Sequence, residues 1–410
     1  MSEINSGDTA WVLISTGLVM IMIPALGFFE AGLLRSKNSI SVIMQCFSGL
    51  AVLSILWIVI GFSLTFSVNN GIIGGLEWMF LNNVPLESPL SYASSIPGIS
   101  YVSFQMMFAV ITPLLMTGAF ADRMRFRTYL IFIVLWSIFI YYPIAHWVWG
   151  EGGWLGSLGV FDFAGGIVVH ISAGMGSLAA ALVIGKRKDF GPGINHPHNI
   201  PLVAIGASLL WIGWFGFNAG SALTAGGIAA NTLLVTQIAA ATSSLTWIFL
   251  SWKKSGKPSA VAAISGAIAG LAGVTAASGY ISVQNSLILG LAVGLASFYA
   301  ITLIKERLKI DDALDVSSVH GVTGIIGTLS IGLFASSLIN PAGPNGLFYG
   351  NPDQSVLQSI GVITVASFSF GGTFIITKIL QKTIGLRVSG EQEDIGLDIS
   401  QHDERSDKVN

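Results

Sequence analysis

Long apolar stretches alternate with short polar breaks along the 410-residue chain. A helix needs about 20 mostly apolar residues to cross a bilayer. Read forward, the pattern predicts eleven such helices. They cover roughly residues 10–33, 40–66, 98–120, 128–148, 164–185, 200–218, 226–252, 259–278, 286–304, 314–338 and 355–380. The expected fold class is an all-α polytopic membrane protein. Only a Gly- and Ala-rich link with little polarity, Asn218 to Thr232, separates the sixth and seventh stretches.

Positive charge tests this count. The 19 Lys and Arg residues all follow odd-numbered stretches: Arg35 and Lys37, then the groups around Arg125, Arg187, Lys254 and Arg307, then the C-terminal segment. Cytoplasmic loops carry the excess of Lys and Arg, so the N-terminus is expected outside and the C-terminus inside. That orientation requires an odd number of crossings. Merging the sixth and seventh stretches would put the Lys253 group outside. The composition agrees with a membrane class: 52% hydrophobic, 10% charged, with 49 glycines. Soluble domains carry about 25% charged residues, and small residues let transmembrane helices pack closely. A near-zero net charge is uninformative about partners, and the lone Cys46 excludes an intrachain disulfide. Residues 1–10 are acidic and polar, so no cleavable signal peptide is expected.

Two stretches repeat an unusual pattern. Asp162 precedes His170 by eight residues, and Asp312 precedes His320 by eight. A Val directly precedes each His, and a Gly follows four residues later, Gly174 and Gly324. An ionisable group in an apolar helix is costly and is a functional-site hypothesis by default. The two stretches fall on the fifth and tenth helices, which run in opposite directions. This predicts an inverted 5+5 repeat plus one extra helix, with halves about 10–185 and 200–338 and the extra helix at 355–380. The whole transmembrane domain spans 1–380. Residues 381–410 form a polar cytoplasmic tail, expected to be partly disordered. Each His lies inward from its membrane face, so both reach toward the midplane. The alternative for each is a hydrogen-bonded core histidine. Asp162 and Asp312 read first as helix-start carboxylates that accept free backbone N–H groups. A second cluster is aromatic: Phe104 and Phe108 at i, i+4, Trp149, and Phe217 with Ser221 one turn on. Aromatic faces attract cations and a hydroxyl accepts a hydrogen bond, although Trp and Phe also pack in cores and belts.

At these residues the chain resembles the ammonium transporter (Amt/Mep/Rh) family. The matching motifs are Phe104-Gln105 with Phe108, Asp122 to Phe126, Pro143 to Gly150, Asp162 to His170, Trp214 to Ser221, Asp315 to Gly321, and Gly396-Leu397-Asp398 in the tail. The resemblance covers essentially the whole chain. It implies a homotrimer in the lipid bilayer with one pore per subunit. It implies ammonium recruitment at Phe108, Trp149 and Ser221, an aromatic gate of Phe108 and Phe217, and a pore lined by His170 and His320. Asp162 would support the outer site, and Thr275 and Ser265 match polar positions near the pore. The cytoplasmic face resembles a docking surface for a PII-type signalling protein. No cofactor, metal or nucleic acid is implied.

The chain departs from the family pattern at Glu30, where many members have Tyr, at Ser317-Ser318, and at Ala276. Glu30 is either part of a proton route or a structural partner of Arg35. The expected function is transport of ammonium or ammonia, not enzymatic catalysis. Ammonium and potassium match in size and charge, so a carbonyl cage suits both. A dry pore penalises any bare cation, and ammonium alone can shed a proton. The rivals are an Rh-like neutral gas channel for ammonia or carbon dioxide, an ammonium sensor, and a membrane metalloenzyme. The last is weak, because neither His has a second ligand at i+3 or i+4.

Overall fold

The computed structural model describes residues 4–191 and 197–406. Among them, ten helices are long and apolar enough to cross a membrane. These are α1 (Ser6–Leu33), α2 (Ser36–Phe66), α3 (Gly98–Phe120), α4 (Phe126–Leu158), α5 (Gly166–Ile184), α6 (Ile200–Gly220), α7 (Gly227–Ser255), α9 (Val283–Arg307), α10 (Ser317–Phe334) and α11 (Asp353–Thr383). The remaining apolar helix, α8 (Ala260–Val274), has 15 residues. Large apolar side chains such as Leu13, Ile55, Leu245 and Phe249 stay exposed on the bundle surface, which a surrounding of lipid tails tolerates.

The eighth helix ends earlier than the apolar pattern suggests, and packing explains why. The Phe163 N–H donates to the Ala276 carbonyl at 3.0 Å, so the chain leaves the helix there to pair with the segment before α5. A Cβ on Gly279 would lie 2.1 Å from the Phe163 ring. The tenth helix likewise starts three residues late. Asp312 accepts from the Ser317 N–H at 2.7 Å, and Asp315 takes a left-handed φ of 62°.

Helices α1 and α6 pack together along their length. Gly206, Gly213 and Gly216 of α6 lie directly against α1 backbone or side chains. Helices α5 and α10 cross at glycines. A Cβ on Gly174 would come within 2.3 Å of the Gly321 backbone, and one on Gly324 within 3.0 Å of His170 Cβ. The glycine four residues after each histidine is therefore a contact point between the two helices. Both helices open with one wide turn of i→i+5 geometry, Gly166–Ile171 and Ser317–Val322. Each of these turns carries a histidine. Such turns are rare and concentrate at functional sites.

One end of the bundle is charged. Arg187 pairs with Asp311 at 2.8 Å and Asp122 at 3.3 Å. Arg35 pairs with Asp122 and Asp189. Burial would raise the Asp311 carboxyl, but its hydrogen bonds to Arg187 hold it below the usual carboxylate range. The described part of the tail, residues 381–406, lies against this end and is built around two short helices, with residues 407–410 outside the described range. It forms α12 (Gly390–Ile395), with a capping box at Ser389 and Gln392, and α13 (Leu397–His402). Asp398 accepts from the Ile40 and Ser41 N–H groups at the start of α2. Lys37 Nζ donates to the carbonyls of Glu393 and Asp394.

Candidate functional site

Three cavities follow one another through the bundle. The first, of about 200 Å³, is aromatic and is lined by Phe104, Phe108, Trp149, Asp162 and Ser221, together with Tyr92, Tyr101 and Gln105. Helical spacing places Tyr101, Phe104, Gln105 and Phe108 on one face of α3. Trp149 is half-buried and aimed by its indole N–H, which donates to the Asp162 carbonyl at 2.9 Å. The Ser221 hydroxyl donates to the Phe217 carbonyl at 2.8 Å, so its oxygen is left as an acceptor.

Asp162 sits beneath this cavity. Its carboxylate accepts four backbone N–H groups, from Gly165, Gly166, Ile167 and Val168, at 2.8–2.9 Å. These are the free donors at the start of α5. Burial raises its titration, and the four donors oppose that rise. The turn needs a left-handed residue at Gly165, with φ 114°, which only glycine adopts without strain. Asp312 does the equivalent work at α10, accepting from the backbone N–H and hydroxyl of Ser317.

Phe108 and Phe217 close the aromatic cavity. Their ring centroids are 4.3 Å apart. Beyond Phe217 lies the second cavity, of about 20 Å³. That is room for about one water-sized molecule. Its walls are His170, His320, Trp214 and Phe217 with aliphatic side chains such as Leu26, Leu115 and Ile268. The rings of Phe217, Trp214 and His320 stack around His170 at 5.9, 5.5 and 5.1 Å.

The two histidines meet Nδ1 to Nδ1 at 3.2 Å. That contact needs one N–H and one lone pair, so at least one ring is neutral. In a fully neutral pair, the ring that donates through Nδ1 has a bare Nε2. The ring that accepts carries its hydrogen on Nε2. The pair therefore offers one acceptor and one donor at its two ends; a proton entering at the bare Nε2, a shift of the central proton and release of the far Nε2 proton together exchange them. His170 Nε2 is buried and has no protein partner. No third metal-ligating side chain stands with the pair among the described residues.

The third cavity, of about 350 Å³, opens from His320 toward the charged end. Glu30, Ser265, Arg35, Asp122, Lys305 and Asp315 line it with aliphatic groups. Glu30 does not pair with Arg35. Thr117 donates to it instead, and Arg35 turns to Asp122 and Asp189. Thr275 stands behind Trp214: its hydroxyl accepts from the Trp214 indole N–H at 3.1 Å and donates to the Leu271 carbonyl.

Against known proteins, the Ammonium Transporter Family profile matches residues 10–406. The chain belongs to the ammonium transporter family. Ammonium transporter 1 of Dictyostelium discoideum is 54% identical over 98% of this chain and 87% of its own length. The crystal structure of Saccharomyces cerevisiae Mep2 superposes with a TM-score of 0.89 at 33% identity, covering 95% of this chain and 90% of that one. A structure titled Sensor Amt Protein gives 0.88 at 31%, covering 97% and 98%. As a member of this family the chain is a multi-pass protein of the cell membrane, and its relatives are named as transporters. Trp214, which begins one of the matching motifs but is not singled out there as a site residue, lines the second cavity beside Phe217. Its signal was its place three residues before Phe217, on the same helix face.

Proposed function

We propose that the chain carries ammonium into the cell through one pore per subunit. The observation that supports it most is the apolar second cavity, with room for about one water molecule, bounded by Phe217 and its neighbour Phe108 on one side and by His320, which also lines the third cavity, on the other. Ammonium is recruited in the aromatic cavity by Phe104, Phe108, Trp149 and the Ser221 oxygen, with Asp162 holding the site in shape. It loses a proton near Phe217. Ammonia passes His170 and His320, while Thr275 steadies Trp214 behind them. Potassium has no proton to lose, and a bare cation in this cavity is costly.

In this reading eleven helices cross the membrane, α8 included, with the aromatic cavity and N-terminus outside. The halves 10–185 and 200–338 form the inverted repeat, α11 stands apart, and residues 381–410 lie in the cytoplasm. The subunits assemble as homotrimers, and the charged end with its folded tail offers a docking face to a PII-type protein. A sensing role is the second reading, supported by the likeness to the Sensor Amt Protein structure. The test is current in proteoliposomes under ammonium and then potassium gradients. Ammonium-driven current without potassium current is expected. Uptake of ammonia without charge movement would favour the neutral gas channel, and absence of any flux would favour sensing.

A further inference from the structure

The third cavity contains a carboxyl group without a cation. Glu30 lies on α1, is 2% exposed, and lines the same cavity as His320. Every basic group sharing that cavity has another partner. Arg35 is taken by Asp122 and Asp189, Arg187 by Asp122 and Asp311, and Lys305 by Asp315 at 2.8 Å. From the neighbouring segments, Asp312, Cys46 and Tyr129 are near enough to feel its charge, and none of them is cationic.

The contact with Thr117 is the telling one. The Thr117 hydroxyl oxygen lies 2.7 Å from Glu30 Oε2 and 2.6 Å from the Leu114 carbonyl oxygen. A hydroxyl has one hydrogen and two lone pairs. When Glu30 is ionised, Thr117 donates to the carboxylate. When Glu30 is protonated, its O–H donates to Thr117, and Thr117 turns to donate to Leu114. One hydroxyl rotation therefore satisfies both protonation states. An ion-paired structural carboxylate has no use for such a partner.

We propose that Glu30 is the proton-exchange group at the inner end of the pore, an inference that rests on the ammonium pathway above. Ammonia leaving the His cavity takes the carboxyl proton: the O–H bond of Glu30 breaks and an N–H bond forms. The products are ammonium and a carboxylate, each the counter-ion of the other. Ammonium then leaves toward the charged end. The carboxylate takes the proton that ammonium gave up outside, delivered over His170 and His320 and through water in the third cavity. One ammonium enters, one leaves, and Glu30 returns to its starting state, while the His pair is left with its donor and acceptor ends exchanged and must reset before the next proton passes.

The test uses the full-length protein in proteoliposomes with ammonium as probe, recording current while the internal pH is varied. Glu30→Gln keeps size and polarity but exchanges no proton. Its current is expected to fall about 100-fold, the scale of one lost acid–base group, and to lose its dependence on internal pH. Glu30→Asp should recover part of the current and the pH dependence. Thr117→Val removes the donor to the carboxylate, so the internal-pH midpoint should move up, and this variant decides the matter if Glu30→Gln does not assemble. A Glu30→Gln protein with parental current and pH profile, or an unmoved midpoint in Thr117→Val, would overturn the role of Glu30. Absence of ammonium flux in the parent would instead sink the pathway itself.

Discussion

The His cavity and the charged end both bury ionisable side chains, and they do so by opposite rules. Arg187 is 5% exposed, and its Nε and both terminal nitrogens donate to Asp311 or Asp122. His170 is 1% exposed, yet its Nε2 has no protein partner. The first arrangement is closed at Arg187: charge matches charge, and each of its side-chain nitrogens has a carboxylate partner. The second is open: one ring nitrogen is left facing a space for one small molecule. A buried polar group with all partners present holds structure together, whereas one left short of a partner awaits something that passes.

The largest expected effect comes from giving the open site a charge. His170→Asp places a carboxylate in the dry cavity, which lowers the cost of a bare cation there. Potassium gains as much as ammonium, so the folded variant should conduct potassium where the parent does not. His170→Ala removes the relay without adding charge and should lose ammonium current without gaining potassium. Paired currents for both ions check this. An Asp variant that still excludes potassium would move the selectivity filter to the aromatic cavity.

Unbalancing the closed site should instead cost stability. Asp311→Asn leaves Arg187 and Arg123 short of a countercharge, a loss of about 3 kcal/mol or more, measurable as a lower melting temperature in detergent. The sign with pH follows from the lowered carboxyl. Its stabilisation is complete above the unfolded value, near 3.9, and is lost as pH falls through the lower folded value. The parent should therefore destabilise on strong acidification, and the variant should lack that component. Equal melting temperatures at neutral pH would show that the network contributes nothing.

Gly174→Ala lies between the two cases. Its methyl would press on the Gly321 backbone, and overpacking of this kind costs about 1–3 kcal/mol. Because Gly174 sits four residues from His170, the strain should part the two rings and reduce ammonium flux more than it reduces assembly. Normal flux from a destabilised protein would break the link between helix approach and the His pair. The smallest effect is expected at the aromatic cavity. Trp149→Leu removes one cation–π face, about 0.5–2 kcal/mol, read as a weaker concentration dependence of uptake. Unchanged dependence in both Trp149→Leu and Ser221→Ala would argue against recruitment there.

The apolar pattern by itself determined the class of the molecule and nearly all its long helices, because a bilayer imposes length and polarity on each crossing separately. It also singled out His170 and His320 with their trailing glycines, since ionisable residues stand out in apolar sequence. Helix ends were less legible. The early stop of α8 depends on Phe163, more than a hundred residues upstream, and no local signal carries that contact. The wide turns that carry both histidines were equally hidden, since the local sequence carries no signal for them. The partner of Glu30 was decided only in three dimensions, because Arg35, five residues away in sequence, is drawn off by Asp122 and Asp189. The tail reads as a polar segment because its apolar content is low, and its two short helices were not legible. Its order comes from Asp398 and Lys37, polar groups that complete α2 and the tail helices from outside. Sequence records which groups are costly to bury; only the folded chain decides which of them find partners and which are left open to a ligand.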